Sequence, residues 1–137
     1  MRQNIVSFAE KFVGVPYKYG AKDGDAPDYF DCSGFVQYVY KKFGYEIPRS
    51  TILQAEFIKK SVGGMRNLKG GDLIFMHGER GYYTKKFPQG IGHVVIYMGD
   101  GKVVHASGLG RKRGVVIENL KKVVANRRPL VVIKRII

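Results

Sequence analysis

At 137 residues the chain has the length of one domain, 1–137, and can bury one real core. Hydrophobic residues at 45% and charged residues at 26% exclude a disordered chain, and no apolar run approaches the roughly 18 residues needed to cross a bilayer. Lys and Arg number 24 against 11 Asp and Glu, a formal charge of +13, which suits an anionic partner such as nucleic acid, acidic lipid or an anionic cell-wall polymer and equally suits a plain solvated surface. The basic residues are spread along the chain, Lys41-Lys42, Lys59-Lys60 and Arg127-Arg128 among them, and no nucleic-acid motif accompanies them.

The N-terminal stretch is interrupted by Glu10 and Lys11 and does not read as a secretory signal peptide. As it stands the chain carries no export address, so work inside the cell, another export route and a trimmed precursor all stay open. Ile5, Phe8, Ala9, Phe12 and Val13 recur at helical spacing and predict a helix over 3–13, stopped by Gly14 and Pro16. Residues 17–30 read as an irregular loop rich in glycine and aspartate. A second helix follows Asp31, with Cys32, Phe35, Val36, Val39, Tyr40 and Phe43 as its apolar stripe and Gly44 as its end. A shorter helix is expected from Ser50 to Lys59. The period then changes. Short apolar runs at 72–76, 93–98, 102–106, 114–118 and 130–136 predict strands, and the long insert from His77 to Gly92 separates the first two. Helices first and strands after give an α+β class with helices packed on a central antiparallel sheet.

Cys32 is the single cysteine, so an internal disulfide and a multi-cysteine zinc site are excluded. Its ordinary reading is a small core residue, since it opens the apolar stripe. It also stands at a predicted helix start behind a natural N-cap, Asp31, and before the small residues Ser33 and Gly34. Helix-start N–H groups lower a thiol's pKa and make a nucleophile. The two readings are compatible, because a nucleophile facing a sheet lies on the buried side of its helix.

The chain has three histidines. His93 opens one strand and His105 lies in the next, with Gly99-Asp100-Gly101 between the two runs as a hairpin signal. A three-residue loop would pair Met98 with Lys102 and Val95 with His105, leaving His93 and His105 as diagonal neighbours on one face. A two-residue loop would put them on opposite faces. His77 falls outside this geometry.

Several segments together resemble the NlpC family of bacterial cell-wall cysteine endopeptidases. They are Val15-Pro16-Tyr17-Lys18-Tyr19-Gly20, Asp31-Cys32-Ser33-Gly34-Phe35-Val36, Ile47-Pro48-Arg49-Ser50 with Gln54, Gly71-Asp72-Leu73-Ile74-Phe75, Gly92-His93-Val94-Val95-Ile96-Tyr97 and Val104-His105-Ala106. The resemblance spans nearly the whole chain in the family's order. It implies a compact papain-like fold, a Cys–His–His set at Cys32, His93 and His105, and a substrate site lined by Tyr17, Asp31 and Ser33. Asp31 would meet the free amine of a short wall peptide. It further implies hydrolysis of an amide in peptidoglycan stem peptides, with no metal or other cofactor, and a cell-envelope or secreted location. His105 is expected to orient His93, because no Asp, Asn or Gln lies in the strand pair and Asp100 sits at the hairpin tip. Two departures stand out: Ala21 occupies a position where the family usually has glycine, and the 77–92 insert is long. An amidase or acyltransferase on the same residues and a non-catalytic wall-binding module are the competing readings.

Overall fold

The computed structural model describes residues 1–78, 81–110 and 113–137; of the long insert, Glu79 and Arg80 lie outside the described residues. Helix α1 (Arg2–Glu10) buries Ile5, Val6 and Ala9 and ends before the predicted residue 13, because 11–14 form turns. Phe12 nevertheless joins Phe30 and Tyr38 edge-on, with ring centroids 5.8 and 5.4 Å away, and so ties the segment after α1 to α2. Helix α2 (Cys32–Lys42) buries Phe35, Val36, Val39 and Tyr40, the stripe that its spacing predicts. Asp31 caps it by accepting the Gly34 N–H at 2.7 Å. Helix α3 (Thr51–Phe57) starts at a Ser50 cap and is shorter than expected. Its fully buried Gln54 donates to the carbonyls of Ser33 and Pro48 at 3.0 and 2.9 Å, locking the first turn of α2 to the chain before α3.

The strands are β1 (Lys60–Ser61), β2 (Leu73–Met76), β3 (His93–Gly99), β4 (Lys102–Ser107), β5 (Gly114–Asn119) and β6 (Leu130–Arg135). They form one sheet in the order β1-β6-β2-β3-β4-β5, antiparallel at every junction. The α+β class with N-terminal helices on an antiparallel sheet is thus the observed one. Besides two single-turn 3-10 helices, at Asp23–Asp25 and Met65–Asn67, two elements are additional. The two-residue β1 is too short to have a period, and helix α4 (Leu120–Asn126) shows only Leu120 and Val123 in a lysine-rich stretch.

Helix α4 gives the sheet a second covered face. Leu73, Phe75, Val94, Ile96, Val104 and Ala106 pack toward α1 and α2. Their alternating neighbours Ile74, Met76, Val95 and Val103 pack with Leu120 and Val123 of α4. This alternation assigns His93 and His105 to the α4 side, whereas Cys32 belongs to the cluster on the α2 side.

The β3–β4 hairpin differs in its turn from the expected one. Gly99 pairs with Lys102, so the turn is the two residues Asp100 and Gly101, both at positive φ (53° and 75°). Ile96 nevertheless pairs with Val104 and Tyr97 with Val103, because the register shifts between Tyr97 and Gly99. The extra residue, Met98, restores the register that a three-residue loop would have given, with Val95 opposite His105.

Asp72, 1% exposed at its side chain, receives Arg135 in a two-pronged bond, Nε to Oδ1 and Nη2 to Oδ2, both 2.7 Å. It also accepts the Lys69 N–H at 2.8 Å. The pair fastens the entry of β2 to β6. Arg135→Ala strands a buried carboxylate and is expected to lower the unfolding free energy by about 3–5 kcal/mol in urea titration. The exposed Lys121→Ala is expected to change it by less than about 0.5 kcal/mol.

Candidate active site

Cys32 is the first residue of α2 and is 7% exposed. Its Sγ lies 3.7 Å from Thr51 Oγ1 and 3.8 Å from the carbonyl oxygen of Gly92, the residue that leads into His93. The thiol opens on a groove of about 450 Å³ whose walls include Tyr17, Tyr19, Asp31, Ser33, Arg49 and Tyr82. All three residues expected to line a substrate site, Tyr17, Asp31 and Ser33, are therefore on this groove. A Cβ on Gly108 would come within 2.8 Å of the Tyr17 ring, so glycine there lets the ring approach the chain closely.

Two contributors to the groove carry no local signal in the sequence. Arg49 spans its floor, bonding Ser33 Oγ and Asp31 Oδ2, each at 2.9 Å, and the Ala21 carbonyl. Asp31 is thus shared between the helix cap and a guanidinium, and is not a lone carboxylate. Arg49 belongs to the Ile47–Ser50 motif, but nothing local in the sequence indicates its reach of 18 residues back to Asp31. The second is Tyr82 of the long insert, whose hydroxyl meets that of Tyr19 at 2.9 Å. The insert therefore borders the groove. His77, at its start, bonds Gly78 and Tyr83 and stays out of the site.

His93 opens β3, 7% exposed, beside a small second cavity that it shares with Gly92, Tyr17, Gly108 and Arg127. Its Nε2 is 2.8 Å from Nδ1 of His105, which is fully buried. His105 Nε2 is in turn 2.8 Å from Glu118 Oε1. In the sequence Glu118 only ends a strand run. Its place follows from the β4–β5 register, where His105 opposes Val116 and Val103 opposes Glu118, setting Glu118 diagonally on the His105 face.

The electrostatics depart from one expectation. The Cys32 thiol is pushed up from its ordinary value, first by burial and then by the neighbouring Asp31 charge. The Thr51 hydroxyl and the N–H groups of Val94 and Ser33 oppose that shift without overcoming it. A helix start in the open would lower a thiol pKa; here the same N-cap that builds the helix places an anion beside the sulfur. His93 is held well below 6.5, by burial first and then by His105 and Arg127. His105 is also lowered by burial and Arg127, with the Glu118 hydrogen bond pulling the other way. Glu118 falls to about 2, chiefly through its bond to His105 and secondarily through Lys122, 3.4 Å away. At neutral pH the resting site therefore holds a thiol, two neutral imidazoles and one carboxylate. Among the described residues no three or more His, Cys, Asp or Glu side chains are grouped to hold a metal ion.

A family model described as the NlpC/P60 family matches residues 14–134. The chain is 38% identical over 105 residues to a gamma-DL-glutamyl hydrolase of Bacillus subtilis, covering 75% of this chain and 22% of that protein. It is 36% identical over 109 residues to a gamma-D-glutamyl-L-lysine dipeptidyl-peptidase of the same organism, covering 80% of this chain and 33% of that one. The chain thus spans between about a fifth and a third of the length of these curated relatives. Among solved structures, the peptidoglycan hydrolase RipB of Mycobacterium tuberculosis superposes with a TM-score of 0.73 at 29% identity, covering 99% of this chain and 64% of that one.

The buried imidazoles give a pH dependence of stability whose sign is fixed. Both folded-state values lie below the 6.5 of an unfolded histidine, so below that pH the unfolded chain takes up protons that the fold refuses. Glu118, lowered from 4.5 to about 2, adds a second loss between those values. The melting temperature is expected to hold above about pH 6.5 and fall as pH drops, while His105→Asn flattens the part between pH 7 and 5. Parallel melting curves for parent and variant would contradict a neutral buried His105.

Proposed function

This chain belongs to the NlpC/P60 family, and on that premise we propose that it is a cysteine peptidase hydrolysing an amide bond in bacterial peptidoglycan stem peptides. The bond is the one joining the γ-carboxyl of D-glutamate to a diamino acid. Residues 1–137 act as one peptidase domain. The observation that carries the reading is the junction at Gly92: its carbonyl is 3.8 Å from Cys32 Sγ, and the next residue, His93, heads a buried chain to His105. The names of the two Bacillus relatives, a gamma-DL-glutamyl hydrolase and a gamma-D-glutamyl-L-lysine dipeptidyl-peptidase, favour the γ-glutamyl bond.

Because thiol and imidazole both start neutral, proton transfer accompanies attack and does not precede it. Cys32 gives its proton to His93 as the sulfur bonds the scissile carbonyl carbon. The N–H of Cys32 at the helix start faces the growing oxyanion. His93 then returns the proton to the departing amine, leaving a thioester. A water loses a proton to His93, cleaves the thioester and regenerates the thiol. His105 orients His93 and does not touch the scissile bond.

Tyr17, Asp31 and Ser33 contact the substrate from the groove walls. Asp31 would receive a free amine while still holding Arg49, so its preference for a charged amine is moderated, not absolute. Asp31→Ala is expected to narrow the difference in kcat/KM between a free-amine muropeptide and its N-acetylated form, and to cost about 1 kcal/mol through the lost cap. An unchanged preference would remove the recognition role. The +13 chain charge favours anionic wall polymer as a secondary partner, through binding that added salt weakens.

The decisive test is turnover of defined muropeptides with the cut bond identified by mass spectrometry. Cys32→Ala and His93→Ala are expected to lose at least roughly 10⁴-fold in kcat. His105→Ala should keep measurable activity, His105→Asn should recover part of the loss, and His77→Ala should change little. Cleavage at the parent rate by Cys32→Ala would overturn the assignment, and a cut at a sugar–peptide amide would replace the endopeptidase reading by an amidase.

A further inference from the structure

We propose that Glu118 is a positioning residue for this hydrolysis, fixing the protons of both histidines so that Nδ1 of His93 carries the lone pair offered to Cys32. The inference rests on the reading of Cys32 and His93 as nucleophile and base, and adds a residue that neither motif nor family match assigned.

The proton positions follow one from another. An ionised carboxylate only accepts hydrogen bonds. Glu118, drawn down to about 2, is ionised at any working pH, and its Oε1 is 2.8 Å from His105 Nε2, so that nitrogen carries the hydrogen. His105 is fully buried and neutral, which leaves its Nδ1 bare. That bare nitrogen faces His93 Nε2 at 2.8 Å, and two lone pairs at that distance would repel, so His93 Nε2 donates. His93 is neutral as well, so its remaining nitrogen, Nδ1, is the free base.

Burial holds both rings: His93 is 7% exposed and His105 fully buried. The other Glu118 oxygen faces Lys122 of α4 at 3.4 Å, an exposed pair that adds little to holding the carboxylate. Arg127, 5% exposed, adds positive charge near both rings and disfavours a second proton on either. Without the carboxylate His105 has no reason to prefer hydrogen on Nε2. The reversed arrangement, with hydrogen on His105 Nδ1, would force His93 to carry its own on Nδ1, where it cannot act as a base.

Long-range ¹H–¹⁵N spectra of the ring nitrogens in parent, Glu118→Gln and Glu118→Ala, paired with muropeptide kinetics, test this. Glu118→Gln is isosteric and guards against a misfolded alanine variant; its amide can present either oxygen or nitrogen to His105. In the parent both Nε2 atoms are expected to be protonated and both Nδ1 atoms bare. In each variant His93 is expected to populate both tautomers, with kcat down about tenfold to a hundredfold and KM within about twofold. Lys122→Ala should leave the parent tautomers dominant. Unchanged tautomers and unchanged kcat in folded Glu118→Gln overturn the role of Glu118 while leaving the peptidase reading intact. Turnover at the parent rate in Cys32→Ala would instead overturn the underlying reading of the site, and this proposal with it.

Discussion

The rest of the site depends on the register between β3 and β4. Twelve residues separate His93 from His105, yet their rings meet at 2.8 Å because Ile96 faces Val104 and Tyr97 faces Val103. A tight Asp100–Gly101 turn alone would shift that register by one residue and send the two rings to opposite faces of the sheet. The bulge at Met98 absorbs the difference. Once the register is set, β5 brings Glu118 to the same face, and the polar chain from His93 to Glu118 is complete without a loop contributing to it.

The sheet divides the chemistry between its two faces. Cys32 arrives from the α2 side, among Phe35, Val94 and Ile96, while the histidine chain runs on the α4 side. The Cys32 sulfur approaches the start of β3, 3.8 Å from the carbonyl of Gly92, the residue before His93. This explains why so much polar machinery survives burial. Key groups have partners: the Gln54 amide nitrogen for the Ser33 carbonyl, Arg49 for Asp31, Glu118 for His105. It also sets the electrostatics. Burial keeps the thiol and both imidazoles neutral, and the one permanent charge of the relay, Glu118, sits at its outer end.

Much of this was legible in the sequence, for a physical reason. Asp31 before Cys32 and small residues is a local signal for a helix start, and the helical stripe behind it is a one-dimensional pattern. The pairing of His93 with His105 was recoverable because a hairpin turns a sequence interval into a distance, even though the loop proved to be two residues with a bulge rather than three. Arg49 and Glu118 were not recoverable. Arg49 meets Asp31 only through the packing of α3 against α2, and Glu118 depends on a β4–β5 register that no turn signal fixes. Helix α4 has no clear signal in the sequence, because two buried residues among lysines make too weak a period. The expected fall in the Cys32 pKa failed for a related reason: the sequence reveals the helix start but not the degree of burial that outweighs it.

In the proposed mechanism Cys32 bonds covalently to the acyl part of a wall peptide. Intact-mass measurement after millisecond acid quench of the parent with a γ-D-glutamyl muropeptide tests it most directly, followed by mapping of the modified peptide. An adduct equal to the acyl portion is expected on the fragment carrying Cys32, decaying as the hydrolysed product appears. Product formation through an adduct on another residue, or an adduct that persists in Cys32→Ala, would contradict nucleophilic catalysis by Cys32.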